Sequence, residues 1–408
     1  MRAESFIAAR IFSMRKESIS STIVRVAVLS VALGLSVMMV SVAVVIGFKN
    51  QIRDKVTGFV ADIQIEALNN NSSSEALPFT ADASLTDALE ASEQIVHYQF
   101  TASKAGIIKT EEHILGVVLK GVGSDFDWQY LRPRILEGQA PVISDTALSN
   151  EVLISRKIAD KLVVAPGQSI RMWFVDAASQ QPRGRKFTVS GIYETGMSEF
   201  DERYLIGDIG HVQKLYNWQP DQYALAEVEL HDDADAAVVS EQLYYEVPAK
   251  LNVTTAAERF PQIFDWLQLQ DMNVWIILLL MLMVSAITMV STLLIMILEK
   301  TPMIGILKAM GAGNHFIRRM FLLNSYRILL NGMIWGNLLA LTFIGLQLQF
   351  GLFKLPEASY YLSEVPVELH WTHFIGLNAG LFLLWSASLL VPVTVINAID
   401  PAKAIRYA

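Results

Sequence analysis

The residues of this chain whose types could do chemistry are few, and their spacing argues against catalysis. Seven histidines are scattered through 408 residues, none in an HExxH pattern, and no cysteine is present to act as nucleophile, thiolate ligand or disulfide partner. Glu111, Glu112 and His113 are consecutive. Neighbours on a strand point to opposite faces, so they read as a solvated strand start and not as a ligand set. Asp232, Asp233 and Asp235 lack the glycine and spacing of a calcium loop and read as carboxylates opening a helix at its positive end. Neither GxSxG nor GxxxxGK[ST] occurs, so no P-loop is available to cradle ATP. The expectation is a non-catalytic chain with no metal site and no cofactor.

What remains is the run from Glu299 to Gly313, EKTPMIGILKAMGAG. Met303, Ile306, Leu307 and Met310 recur on one helical face, and Lys300 and Lys308 are left for solvent or an acidic partner. Pro302 suits a first helical turn, Gly311-Ala312-Gly313 suits a stop, and Asn314 can cap the helix that follows. Two readings stay open on these residues alone. The helix lies among lipid headgroups with its apolar side in the bilayer. Alternatively, a soluble partner pushes on it and so moves the spans on either side.

The elements that position this run are membrane spans. At 52% hydrophobic residues the chain is too apolar for an ordinary soluble domain. A span needs about 20 apolar residues. The stretches 26–48, 273–298, 328–353 and 372–396 qualify, and Pro392 falls near a helix end, where it is tolerated. Residues 49–272 carry 19 basic and 33 acidic side chains, against 13 and 7 in the remainder, which places the acidic part and the basic flanks on opposite sides of a bilayer. Arg2, Arg10, Arg15, Lys16 and Arg25 precede the first span, Lys300 to Arg327 separate the second from the third, and Lys403 and Arg406 follow the fourth. Both termini are thus expected in the cytoplasm, with the acidic part outside it. No basic pattern suited to nucleic acid stands out.

Within 49–272, DIQIEA from Asp62, HILGVVLKGV from His113, KFTVSGIYE from Lys186 and LAEVELH from Leu225 alternate as strands do. SLTDALEASE from Ser84 and NEVLISRKIADKL from Asn150 have helical periodicity. Lys49–Val56 and the apolar set Phe260, Ile263, Phe264 and Leu267 read as helical stalks. The expected fold is a membrane protein with four transmembrane α-helices and a large α+β extracytoplasmic domain inserted between helices 1 and 2. Its parts are a cytoplasmic amphipathic segment (1–25), the four spans, the extracytoplasmic domain (49–272), a cytoplasmic loop (299–327), a short outer loop (354–371) and a cytoplasmic tail (397–408). In span three, Gly332, Gly336 and Ala340 sit four apart, the pattern of a close helix-packing face within the chain or against a second subunit.

With these residues in view, the chain resembles permeases of the FtsX/MacB/LolC-LolE superfamily of ABC transporters. The family's coupling helix has the form E-K-x-x-x-I-(A/G)-I-L-(R/K)-x-(M/L)-G-A, and Glu299, Lys300, Ile304, Gly305, Ile306, Leu307, Lys308, Met310, Gly311 and Ala312 match it. GFKNQIRDKVTGFVADIQI from Gly47, FTVSGIYETGMSEFDERY from Phe187, YYLSEVPVEL before span four and the terminal IDPAKAIRYA resemble the lipoprotein-releasing LolC/LolE branch. The resemblance implies a multi-pass permease subunit of a bacterial inner membrane. It also implies a cytoplasmic ABC ATPase as partner, a second permease subunit that is either a copy or a paralogue, and lipoprotein cargo. Residues 299–311 would then receive the stroke of the ATPase. Met38, Val42, Ile46 and Phe264 would contact acyl chains, with ordinary helix packing as the competing reading. One branch member docks a periplasmic lipoprotein chaperone through a long hook, and the hairpin from Ala177 to Lys186 is short for that role. Ser285–Thr288 and Asn324-Ser325 also depart from the branch's usual residues. Two alternatives keep the architecture and change the output: a MacB-like mechanotransmitter working with a periplasmic partner, and an FtsX-like regulator of a cell-wall hydrolase.

Overall fold

The computed structural model describes residues 19–70, 76–109, 113–175, 181–356 and 360–398. Two units emerge: a membrane unit drawn from residues up to 50, 266–354 and 364 onward, and a core domain of residues 51–265 and 355–363. Helix α1 (Ile19–Val60) begins in the first and ends in the second. Ala61 stops it in the left-handed conformation (φ 61°), its amide donating to the Thr57 carbonyl at 2.6 Å.

The core domain is built on strands whose alternation sets two faces. In β1 (Ile63–Ala67), Ile63 and Ile65 are wholly buried on one face while Gln64 and Glu66 take the other. There follow β2 (Phe79–Thr80), α2 (Ala83–Ala91), β3 (Ile95–Lys109), β4 (Ile114–Val122) and β5 (Ile135–Gly138). Next come β6 (Glu151–Ser155), α3 (Arg156–Leu162), β7 (Ser169–Val175), β8 (Pro182–Tyr193), α4 (Ser198–Asp201) and β9 (Tyr204–Asp208). The domain closes with α5 (Ile209–Tyr216), β10 (Gln222–Tyr223), β11 (Leu225–Leu230), α6 (Ala236–Glu246), β12 (Leu251–Thr255) and α7 (Ala256–Arg259). The main sheet runs β12-β1-β11-β3-β4-β9-β6-β8-β5, with β7 paired to β3 and β8. Pairs β4–β9 and β6–β8 are parallel and the other pairs antiparallel, so the sheet is mixed and the domain is α+β. Leu85, Leu89 and Leu243 from α2 and α6 cover one part of the sheet's apolar face. Ile158 and Val212 from α3 and α5 cover another.

Two local expectations need correction. The stretch from Asn150 is not one helix: Val152, Leu153 and Ile154 form a strand buried on both faces between β8 and β9. The helix starts only at Arg156, where Ser155 Oγ accepts from the Ile158 amide at 3.1 Å. Gly313, not Asn314, occupies the capping position ahead of the third span. The aspartate run does open a helix, since Asp235 accepts from the Ala237 amide at 2.9 Å at the start of α6. Residues 1–18, Glu111, Glu112, 177–180 of the short hairpin and the terminal 399–408 lie outside the described residues.

The membrane unit adds α8 (Pro261–Glu299), α9 (Thr301–Ala309), α10 (Asn314–Phe350) and α11 (Trp371–Val393). Helices α1, α8, α10 and α11 are long and apolar enough to cross a membrane. They pack around Leu35, Met38, Ile297, Phe321, Leu329 and Trp385, all essentially inaccessible. Pro392 sits in the last turn of α11, next to a short 3-10 turn over Thr394–Ala398.

Candidate functional site

The segment from Glu299 to Gly313 forms a short helix held firmly on one side and bare on the other. Glu299 ends α8 and pairs with Lys300 at 3.3 Å. Pro302 lies in the first turn of α9, where its missing amide hydrogen is not needed. Ile304 is wholly buried in the core of the membrane unit and Gly305 is buried beside it, while Met303 and Leu307 pack half-buried along its edge. Lys308 does not extend to solvent as expected: its Nζ donates to the Ile396 carbonyl at 2.8 Å, in the turn that follows α11. Gly311 leaves the helix at φ +93°, a backbone conformation that any side chain would strain.

Ile306 and Met310 are bare, 52% and 79% exposed. The expected stripe of Met303, Ile306, Leu307 and Met310 is therefore split. At 100° per residue Ile306 lies about 160° round the helix from Ile304, while Met310 shares the angular position of Met303 and is bared because it stands at the helix end, as the C-cap. A helix bonded to the ends of α8 and α11, with an apolar pair one turn apart on its free side, can transmit a push from whatever covers that pair.

Gly332, Gly336 and Ala340 mark a contact inside the chain. A Cβ on Gly332 would lie 2.6 Å from Val31 Cβ, and one on Gly336 would lie 2.8 Å from the Ala32 carbonyl oxygen, so α10 and α1 meet backbone to backbone. Ala340 is wholly buried on the same side. Of the residues expected at acyl chains, Met38 is buried in the membrane-unit core, while Val42 and Ile46 are half-buried on α1. Phe264 belongs to the core domain, where it lines a cleft with Arg53, Thr57 and Asp62.

Two polar arrangements escaped sequence reasoning. In the core domain, Lys120 Nζ lies 2.7 Å from Glu227 Oε1, with side chains only 5% and 3% exposed, and also donates to the Phe59 carbonyl at 2.7 Å. In the membrane unit, Asn337 and Asn378 exchange side-chain amide hydrogen bonds of 2.8 and 3.0 Å between α10 and α11. Alternation gives the faces of β4 and β11, but only the strand order β11-β3-β4 brings Lys120 to Glu227. Asparagines inside apolar spans, Asn331 and Asn337 in the third and Asn378 in the fourth, were the available signal for the second pair.

A core domain spliced between the first and second of four spans, with a tethered helix between the second and third, defines a permease-type transmembrane subunit. Two family models match the chain: the MacB-like periplasmic core domain over residues 26–244, more than half its length, and the FtsX-like permease C-terminal over residues 275–401. The chain belongs to the FtsX/MacB superfamily of ABC permeases, and within it the chain is LolC/LolE-like. It is 23% identical to the lipoprotein-releasing system transmembrane protein LolC of Xylella fastidiosa, over 96% of each chain. It is 21% identical to the corresponding LolE of Haemophilus influenzae, again over 96% of each. Among solved structures, the periplasmic region of MacB from Actinobacillus actinomycetemcomitans matches with a TM-score of 0.34 and 13% identity, covering 49% of this chain and 91% of that one.

Proposed function

We infer that this chain is the transmembrane subunit of an ABC transporter that releases lipoproteins from a bacterial inner membrane. Its termini and α9 face the cytoplasm and its core domain faces the periplasm. The observation that carries the reading is the exposed pair Ile306 and Met310 on a helix otherwise anchored by Ile304 and Lys308. The near-complete overlap with relatives named for lipoprotein release supports the choice of cargo.

In this reading the chain hydrolyses nothing. A separate ATPase covers Ile306 and Met310, and ATP-driven closure displaces α9. The bonds of α9 to the ends of α8 and α11 carry that displacement to the spans. A second permease subunit completes the assembly, and the acyl chains of the cargo are held at membrane level, with Val42 and Ile46 on the half-buried side of α1 as contacts.

Two experiments test this. Affinity purification of the intact complex is expected to bring down lipoproteins together with a P-loop ATPase. Recovery of an outer-membrane channel with its adaptor, or of a cell-wall hydrolase, in their place would point to the MacB-like or the FtsX-like output, and correct lipoprotein sorting after depletion would reject the reading. Met310→Asp, which places a charge on the bare face of α9, is expected to weaken ATPase association at least about tenfold by removing an apolar contact worth ~1.5–3 kcal/mol. The protein itself should remain in the membrane.

A further inference from the structure

The stretch from Phe187 to Tyr204, which carries part of the family resemblance, takes no part in coupling at α9. Its turn from Thr195 to Glu202 is pinned in place within the core domain. Asp201, 1% exposed, accepts from the Thr195 amide at 3.1 Å, from Thr195 Oγ1 at 2.8 Å and from the Gly196 amide at 3.0 Å. Ser155 Oγ donates to the Asp201 carbonyl, and Lys157 Nζ donates to Ser198 Oγ at 2.6 Å. Met197 is wholly buried. A turn fixed this way presents Glu199 and Phe200 in set positions.

Each of these two residues grips a segment by which the chain enters the core domain. Those segments are residues 51–60 of α1, residues 260–265 leading into α8, and residues 355–363. The Phe200 ring stacks on Phe59, next to the last residue of α1, with centroids 4.4 Å apart and planes at 18°. It also meets Phe260, directly ahead of α8, edge-on at 5.8 Å. Glu199 Oε1 accepts from the Tyr361 hydroxyl at 2.7 Å, and the Tyr361 carbonyl accepts from Lys55 Nζ at 2.8 Å, back on α1. Tyr361 holds φ at +60°, a left-handed conformation that is costly for an aromatic residue. Glu199 Oε2 is buried with no hydrogen-bond partner among the described residues. Burial and the bond to Glu199 push the Tyr361 hydroxyl up to about 12, so it remains a donor at neutral pH. Backbone strain and a half-satisfied carboxylate in one contact are unusual for a loop that merely rests on a surface.

We propose that the Thr195–Glu202 turn is a mechanical junction in which Phe200 and Glu199 act as positioning residues joining all three entering segments. A displacement of any one segment is thereby felt by the other two and by β8 and β9, which flank the turn. The purpose of that motion rests on the lipoprotein-release reading; the junction itself does not.

Hydrogen exchange on the full-length protein in lipid nanodiscs tests the junction without reference to cargo. Phe200→Leu is expected to speed amide exchange about tenfold at 51–60, 260–265 and 355–363 together, three stretches far apart in sequence. Tyr361→Phe, which keeps the ring and loses only the hydroxyl, is expected to do so at 355–363 alone, and it decides the matter if Phe200→Leu does not fold. Glu199→Gln, which preserves the acceptor, should stay near wild type. Acceleration confined to 195–204, acceleration spread evenly to β5 and β12, or an unchanged 355–363 in Tyr361→Phe overturns the proposal. In the assembled transporter, Phe200→Leu and Tyr361→Phe are expected to keep basal ATP hydrolysis while lipoprotein released per ATP falls at least about fivefold. A proportional fall in both would mark a merely structural role and also overturn it. A wild-type complex that releases no lipoprotein rejects the proposed function, and the exchange pattern still decides the junction.

Discussion

The membrane unit and the core domain specify their packing in opposite ways. Around α1 and α10 the contact is set by the absence of side chains at Gly332 and Gly336, and the ion pairs lie at partly exposed positions such as Lys49–Asp271. In the core domain a full ion pair, Lys120–Glu227, is buried beneath the end of α1. The difference follows from the surroundings. Lipid is as apolar as a leucine side chain, so helices gain little by burying more hydrocarbon and gain contact by coming close. The sheet, folded out of water, gains from apolar burial on one face. Its other face retains charges that are tolerable because each is bonded.

That contrast can be broken most forcefully at Lys120. Lys120→Met leaves Glu227 buried without its cation and is expected to destabilise the core domain by about 3–5 kcal/mol. Thermal unfolding of the purified protein would measure the loss. Lys120→Met combined with Glu227→Gln should recover much of it, and a double variant no better than the single one would contradict the charge argument. Next in size is Gly332→Leu, whose added bulk must displace Val31 and is expected to cost about 1–3 kcal/mol. Detergent-melting of the full chain should register that cost, whereas Gly345→Leu on the same helix, where nothing among the described residues lies within 4 Å, should leave it unchanged.

The smallest expected effect sharpens the polar side of the comparison. His211 is buried, with Nε2 bonded to the Ser149 carbonyl at 2.9 Å and Nδ1 without a hydrogen-bond partner among the described residues. Desolvation is the main cause that lowers its pKa from 6.5. The unfolded chain therefore binds the proton more readily than the folded one. The stability held by neutral His211 is complete above pH 6.5 and declines as pH falls below it, by up to ~1.4 kcal/mol per pH unit between the two values. Melting temperatures between pH 7.5 and 5 should fall less steeply in His211→Gln than in wild type, and parallel curves would count against this assignment.

The architecture was largely legible in the sequence because its signals are coarse. Four apolar runs survive any error in their ends, and strands such as β1, β4 and β11 alternate openly. Failures came where one residue serves two elements. Ser155 closes β6 and caps α3, so a strand and a helix merged into one apparent helix. Strand β3 went unread because its burial does not alternate: Lys104 is nearly inaccessible with its Nζ 3.6 Å from the Tyr216 ring centroid, and lysines are seldom expected inside. At the site, the motif and its glycine stop were visible, but the side of α9 that is buried was not. That side depends on Ile304 finding the core and on Lys308 reaching Ile396, a partner 88 residues away.

The paired amides of Asn337 and Asn378 bear on how the chain is made. Asn378 also donates to the Phe374 carbonyl of its own helix at 2.9 Å, so it is Asn337 that would enter the bilayer with its amide unpaired at mid-helix, at a cost of about 1–2 kcal/mol relative to the paired state. Synthesis delivers α10 first, so α10 should linger at the insertion machinery until α11 arrives and the two leave as a hairpin. A chain truncated before α11 is expected to integrate less completely than the same truncation carrying Asn337→Leu, as read by alkaline extraction of membranes. Equal integration of the two would mean that the amides meet only after both helices have reached the lipid.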